Sequence, residues 1–155
     1  MENITIERAA AATPEVIALL EALDRALAGY EPEQSHALSV EQLFQPDVRF
    51  FLVRAGGEAV ACGGVGFYDG YAELKRMYAT PAVRGRGVAK ALLARLEAEA
   101  REAGAHLLRI ETGVHQHEAL GFYEAAGFRR CGPFGPYAGM PANAIVTSLF
   151  YEKSL

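Results

Sequence analysis

The sequence predicts an α+β chain, with a mixed, mostly antiparallel sheet and helices on both of its faces. Three observations carry this reading. Strand-like runs come first and are joined by the two-residue turns Gly56-Gly57 and Asp69-Gly70, which favour tight hairpins. The apolar spacing then lengthens to three and four residues from Val88 to Ala100, a helical period. An apolar strand from His106 to Thr112 follows, so a strand–helix–strand crossover succeeds the meander.

Each element has a local cause. Ile4 and Ile6 alternate with polar neighbours as a short strand does. Thr13 before Pro14 is an N-cap with a first-turn proline, and Val16, Leu19, Leu20, Leu23 and Leu27 form one stripe, predicting a helix from Pro14 to Ala28 ended by Gly29. Tyr30 to Leu38 is polar and reads as a loop, and Ser39 starts a helical turn through Phe44. Strands are predicted over Asp47–Arg54, Glu58–Tyr68 and Tyr71–Tyr78, then a helix over Gly87–Ala103 closed by Gly104. After the strand at His106–Thr112 come a helix over His117–Ala126 stopped by Gly127, a short strand Phe128–Arg130, the Gly/Pro-rich stretch from Gly132, and a last strand Ile145–Lys153.

With 155 residues, 51% of them apolar, the chain suffices for one hydrophobic core but not two, so residues 1–155 read as a single domain. A net charge of −4 without a basic cluster speaks against nucleic acid as a partner. The N-terminus carries Glu2, Glu7, Arg8 and Glu15 rather than an apolar export signal. The longest charge-free apolar stretch, Ala59–Tyr68, contains three glycines and is far shorter than the roughly 20 residues that span a bilayer. Cys62 in a strand and Cys131 in a loop show no pairing motif, which suits a reducing compartment. The expectation is a cytoplasmic protein without a membrane partner.

The chemistry concentrates in Arg84-Gly85-Arg86-Gly87-Val88-Ala89, where a strand's exit loop becomes a helix N-terminus. Unpaired backbone N–H groups and the positive end of the helix dipole suit a phosphate there, and the glycines let it approach closely. Taken by its glycine spacing alone, the segment is equally a turn with solvated arginines. A dinucleotide-binding loop would need glycine where Lys90 stands, and a P-loop needs a Gly-Lys-Ser/Thr ending that is absent.

The run Arg84-x-x-Gly87-x-Ala89 resembles the pyrophosphate-binding motif of the GNAT superfamily of acyl-CoA-dependent N-acyltransferases. Upstream, Glu73-Leu74-Lys75-Arg76-Met77-Tyr78-x-x-Pro81 is similar to that family's central strand. Downstream, Ala119-x-x-Phe122-Tyr123-Glu124-x-x-Gly127-Phe128 is similar to its next helix and turn. Tyr30-x-Pro32-x-x-Ser35-His36 resembles a loop of a bacterial subgroup of small-molecule acetyltransferases.

The resemblance implies a GNAT-like fold whose central strands splay, opening a cleft for acetyl-CoA as co-substrate. Backbone groups of Arg76, Met77 and Tyr78 would pair with pantetheine, and the amides of Arg84, Gly85, Arg86, Gly87, Val88 and Ala89 would hold pyrophosphate. Gln116 stands where the family often has Asn. Tyr123 would be the general acid, against the plainer reading that it only packs beside Phe122 and Phe128. A backbone N–H near Met77 would meet the oxyanion.

For a base, Glu73 on the central strand and Glu111 on its neighbour are candidates, although Glu73 is equally a partner for Lys75. The acceptor would meet Tyr30, Glu33, Ser35, His36, Glu111, Phe134 and Tyr137, and a carboxylate on it would find Lys75, Arg76 or Arg129. His115 and His117 lack a metal-ligand spacing, so no metal is expected.

The implied activity is direct acetyl transfer to a small-molecule amine, with no acyl-enzyme because neither cysteine has an activating base. A non-catalytic acyl-CoA sensor and an acetyltransferase of protein N-termini or lysines are the alternatives. The last strand, Ile145 to Tyr151, is apolar enough to pair or pack with a second subunit, and a homodimer is the expectation.

Overall fold

A computed structural model describes residues 3–155; Met1 and Glu2, part of the charged N-terminus considered above, lie outside them. The chain opens with β1 (Ile4–Arg8) and α1 (Pro14–Ala26), whose N-cap Thr13 accepts from the Val16 N–H at 3.4 Å. The helix stops at Ala26 rather than Ala28, because Leu27 leaves helical geometry at φ −101° and its N–H also reaches the Asp24 carbonyl. Val16, Leu19 and Leu20 are buried, whereas Leu23 and Leu27, on the same stripe, are only half-buried and line open space.

A 3₁₀ turn at Pro32–Gln34 and the short helix α2 (Val40–Leu43) interrupt the segment before the sheet. The meander is β2 (Val48–Ala55), β3 (Glu58–Tyr68) and β4 (Tyr71–Ala79), followed by α3 (Val88–Glu102), β5 (Leu107–Gly113) and α4 (His117–Ala125). The seven strands, ending with β6 (Arg129–Cys131) and β7 (Ser148–Ser154), are ordered β1-β2-β3-β4-β5-β7-β6. Helix α1 packs on one face with Phe50, Leu52 and Cys62, and α3, through Leu92 and Leu96, on the other with Phe51, Val65 and Leu74. Burying each such aliphatic side chain contributes about 1.5–3 kcal/mol.

Three sequence expectations are corrected. Cys131 lies in β6 rather than in a loop. The Gly/Pro stretch after it is ordered as a 3₁₀ turn (Gly135–Gly139) and a short helix α5 (Ala142–Ile145), so the last strand begins at Ser148 instead of Ile145. Strand β7 is flanked by β5 and β6, which leaves it no free edge with which to pair a second subunit.

Two features open the middle of the sheet. Cys62 pairs with Tyr78 but Gly64 with Lys75, so Gly63 alone faces Arg76 and Met77 in a β-bulge. Arg76 there has φ 55°, the single positive-φ residue other than glycine among those described. A Cβ on Gly63 would lie 2.8 Å from Met77 Cγ, so glycine makes room for the bulge. The parallel strands β4 and β5 then pair only at Ala72–Leu108 and Glu73–Arg109. Beyond that point they splay, leaving Lys75 to Ala79 without a strand partner on the β5 side.

Candidate active site

The splay creates two adjoining spaces. An outer groove of about 800 Å³ is lined by Met77 to Ala79 of β4, by Arg84, Gly85 and Gly87 to Lys90 at the start of α3, and by residues of α4. An inner cavity of about 660 Å³ lies between α1, the 30–40 segment, β4 and β5. Leu23, Met77, Gln116, Ala119 and Tyr123 border both spaces, so anything reaching from one to the other passes them.

The outer groove fits a phosphate. Gly85 and Gly87 have φ of 80° and 79°, a conformation that costs other residues about 1–2 kcal/mol, and neither faces any atom within 4 Å of where a Cβ would stand. Helix α3 starts with no side-chain cap, so the N–H groups of its first turn point at the groove without an intrahelical acceptor. The amides do not all converge as the motif implied. Those of Arg84 and Arg86 donate to the Pro81 and Val83 carbonyls at 3.3 Å. The Arg86 side chain is not among the residues lining the groove, whereas those of Arg84 and Lys90 are.

Tyr123 sits at the junction of the two spaces. Its ring packs edge-on to Phe122 and Phe128 at centroid distances of 5.3 and 5.5 Å, and its hydroxyl donates to Met77 Sδ at 3.6 Å. The ring is thus part of the core, while the residue also borders both spaces. At 5% exposure the tyrosine is buried, and desolvation holds its pKa above the ordinary phenol value.

The inner cavity gathers ionisable groups. Glu73 is 3% exposed, accepts from Tyr137 Oη at 2.7 Å and pairs with Lys75 Nζ at 2.9 Å. Glu111 accepts from Ser148 Oγ at 2.7 Å, and burial raises its pKa above the usual carboxylate value despite that bond. Tyr137 is pushed up by burial first and then by the Glu73 charge. His36 Nε2 donates to the Ala144 carbonyl at 2.7 Å, tying the 30–38 segment to α5.

Tyr30 is a strut. Its hydroxyl accepts from the His115 N–H at 3.1 Å and from Gln116 Nε2 at 3.4 Å. Gln116, expected to touch the cofactor, thus spends its amide on Tyr30 while still bordering both spaces. A Cβ on Gly113 would overlap the Tyr30 hydroxyl and ring. Gly113→Ala is therefore expected to lower stability by about 1–3 kcal/mol, as overpacking does, measured by thermal denaturation.

Other expected residues are not at the site. Phe134 is buried among Tyr71, Tyr137 and Phe150, Glu33 is exposed, and Arg129 lies on the edge strand β6 against Glu152. The Arg76 side chain turns away from the outer groove, lines the inner cavity and pairs with Asp24 at 2.6 Å. Asp24, Ser148 and Thr147 escaped the sequence reading. Asp24 carries no motif, and the other two fall at a strand start placed too early.

Comparison with known proteins accords with this geometry. The profile of the acetyltransferase (GNAT) family matches residues 16–128, spanning the bulge, the glycine turn and α4. The chain belongs to the GNAT family and is an acyltransferase. It is 42% identical over 158 residues to an IAA acetyltransferase of Azospirillum brasilense, with 100% of each chain covered. A solved structure assigned as an acyl-CoA N-acyltransferase from Klebsiella pneumoniae is 37% identical, with a TM-score of 0.79 over 98% of this chain and 97% of that one. A GNAT acetyltransferase from Elizabethkingia anophelis, solved with acetyl-CoA bound, shares the fold at 22% identity and a TM-score of 0.68, each chain fully covered.

Proposed function

We propose that the chain transfers the acetyl group of acetyl-CoA to a primary amine of a small molecule, by direct attack within a ternary complex. The observation that carries this is the place of the Tyr123 hydroxyl, beside Met77 where the phosphate-fitting groove meets the inner cavity. Acetyl-CoA supplies the activated acetyl group as a thioester. Gly85, Gly87 and the first turn of α3 hold its pyrophosphate, with Arg84 and Lys90 adding charge. The free side of β4 from Met77 to Ala79 offers backbone groups to its extended arm, and a Met77 backbone N–H faces the negative charge that develops on the carbonyl oxygen.

Tyr123 gives its proton to the departing sulfur. Burial keeps that phenol protonated until a proton is demanded, which favours its acting as acid rather than base. Two carboxylates compete for the ammonium proton. Glu73 is occupied by Lys75 and Tyr137 on one oxygen and serves better to fix those groups. Glu111, whose carboxyl is held by burial above the usual carboxylate pKa, is the one assigned to take up that proton.

Glu111 works only when deprotonated, and its pKa lies above the ordinary carboxylate value. The acidic limb of kcat/KM is therefore expected above the roughly pH 4.3 of an unperturbed glutamate. Glu111→Gln should lower the rate about 100-fold or more and abolish that limb. A variant whose profile retains the parent's acidic limb would return the role to Glu73. The His36–Ala144 bond fixes the 30–38 segment, which lines the cavity, against α5, and this favours a small acceptor over a protein N-terminus or lysine. Thiol release from acetyl-CoA with small amines, and not with lysine peptides, is the expected outcome of a substrate screen.

A further inference from the structure

The inner cavity holds charges of both signs. Glu73 and Lys75 neutralise each other at 2.9 Å, which leaves Glu111 on β5 and the guanidinium of Arg76 on β4. The Arg76 side chain is only 6% exposed, while its partner Asp24 is 61% exposed and so largely screened by solvent. Only Nη1 of Arg76 makes that bond, and Nε is buried without a hydrogen-bond partner. Thr147 Oγ1, of another residue lining the cavity, is likewise buried without a partner, as is Arg109 Nε outside it. Leaving a donor of a charged group unsatisfied in the interior costs on the order of 1–3 kcal/mol or more.

Arg76 also occupies a backbone conformation that a side-chain-bearing residue seldom takes, φ 55°, at the bulge that opens the cavity. Strain of this kind persists where surrounding structure enforces it and gathers at ligand sites. A diamine or polyamine would place a second cation against Arg76 and Lys75. An amine that also bears an anion matches both signs.

Resting on the reading of this cavity as the acceptor site, we propose that the acceptor is an amino-carboxylate, its ammonium facing Glu111 and its carboxylate held by Arg76. Arg76 is then a specificity-determining residue whose fork geometry suits a carboxylate.

The test is calorimetric titration and acetylation kinetics with the nineteen common amino acids that bear a primary amine, each beside the amine that lacks its carboxylate. At least one amino acid should bind and react at least tenfold better, in kcat/KM, than its decarboxylated partner. Arg76→Gln should raise KM for that amino acid about 10- to 100-fold and raise it far less for the amine, so that the difference between the two shrinks. Equal use of both members of every pair, or binding of no amino acid with or without CoA, overturns the proposal. The paired comparison in the parent needs no variant, so the test stands even if Arg76→Gln folds poorly. Acetylation of amines without preference would sink this inference and leave acetyl transfer intact; failure to bind acetyl-CoA would sink that function itself.

Discussion

Tyr123→Phe is expected to lower kcat about 100- to 10,000-fold, the range attributed to a single well-placed general acid or base. The substitution removes one oxygen and keeps the ring, so the edge contacts with Phe122 and Phe128 remain and folding should be little changed. The lost bond, to Met77 Sδ at 3.6 Å, is weak. Acetyl-CoA affinity should stay within about twofold, because the hydroxyl is asked to act only as sulfur departs. Stopped-flow or steady-state thiol release together with a binding measurement separates the two quantities. An unaltered kcat with intact structure removes Tyr123 from the chemistry and leaves it a core residue.

Gly87→Asp should weaken acetyl-CoA binding at least about 100-fold, because it combines three effects on one position. The φ of 79° costs a side-chain-bearing residue about 1–2 kcal/mol, the new Cβ stands where a phosphate must approach, and the carboxylate repels it. At acetyl-CoA concentrations of about 100 times the parent's Kd, binding stabilises a protein by about 2.7 kcal/mol, a rise of roughly 5–10 °C in Tm for a chain of this size. The variant should show none of that rise. Gly104→Asp is the matched control. It has φ 89° with open space around it and follows the C-terminal end of α3, so it incurs similar backbone strain away from the groove. Its Tm should still climb on adding acetyl-CoA.

Much of the fold was legible because it repeats. The meander, α1 and α3 each carry several periods of an apolar pattern, and the structure places them within a few residues of the expected ends. The region from Gly132 to Thr147 was not, since its two elements have only five and four residues, set among Gly and Pro, and carry less than two helical periods. The bulge was equally hidden: its strained residue is Arg76, and sequence gives no sign that a non-glycine side chain adopts positive φ.

At the site, local chemistry was readable and long-range partnership was not. The glycine turn and Tyr123 lie in contiguous motifs, so their identities stood out in the sequence. The pairing of Arg76 with Asp24, 52 positions apart, and of Glu111 with Ser148, 37 apart, depends on packing that no local pattern records. Both pairings hold side chains that line the inner cavity, Arg76 on β4 and Glu111 on β5.

The measurement that bears most directly on the central claim is calorimetric titration of the purified protein with acetyl-CoA. Saturable binding at one site per chain is the expected result, with its heat lost in Gly87→Asp and kept in Tyr123→Phe. A folded parent that takes up no acetyl-CoA would contradict the account of the cleft and, with it, the proposed transfer.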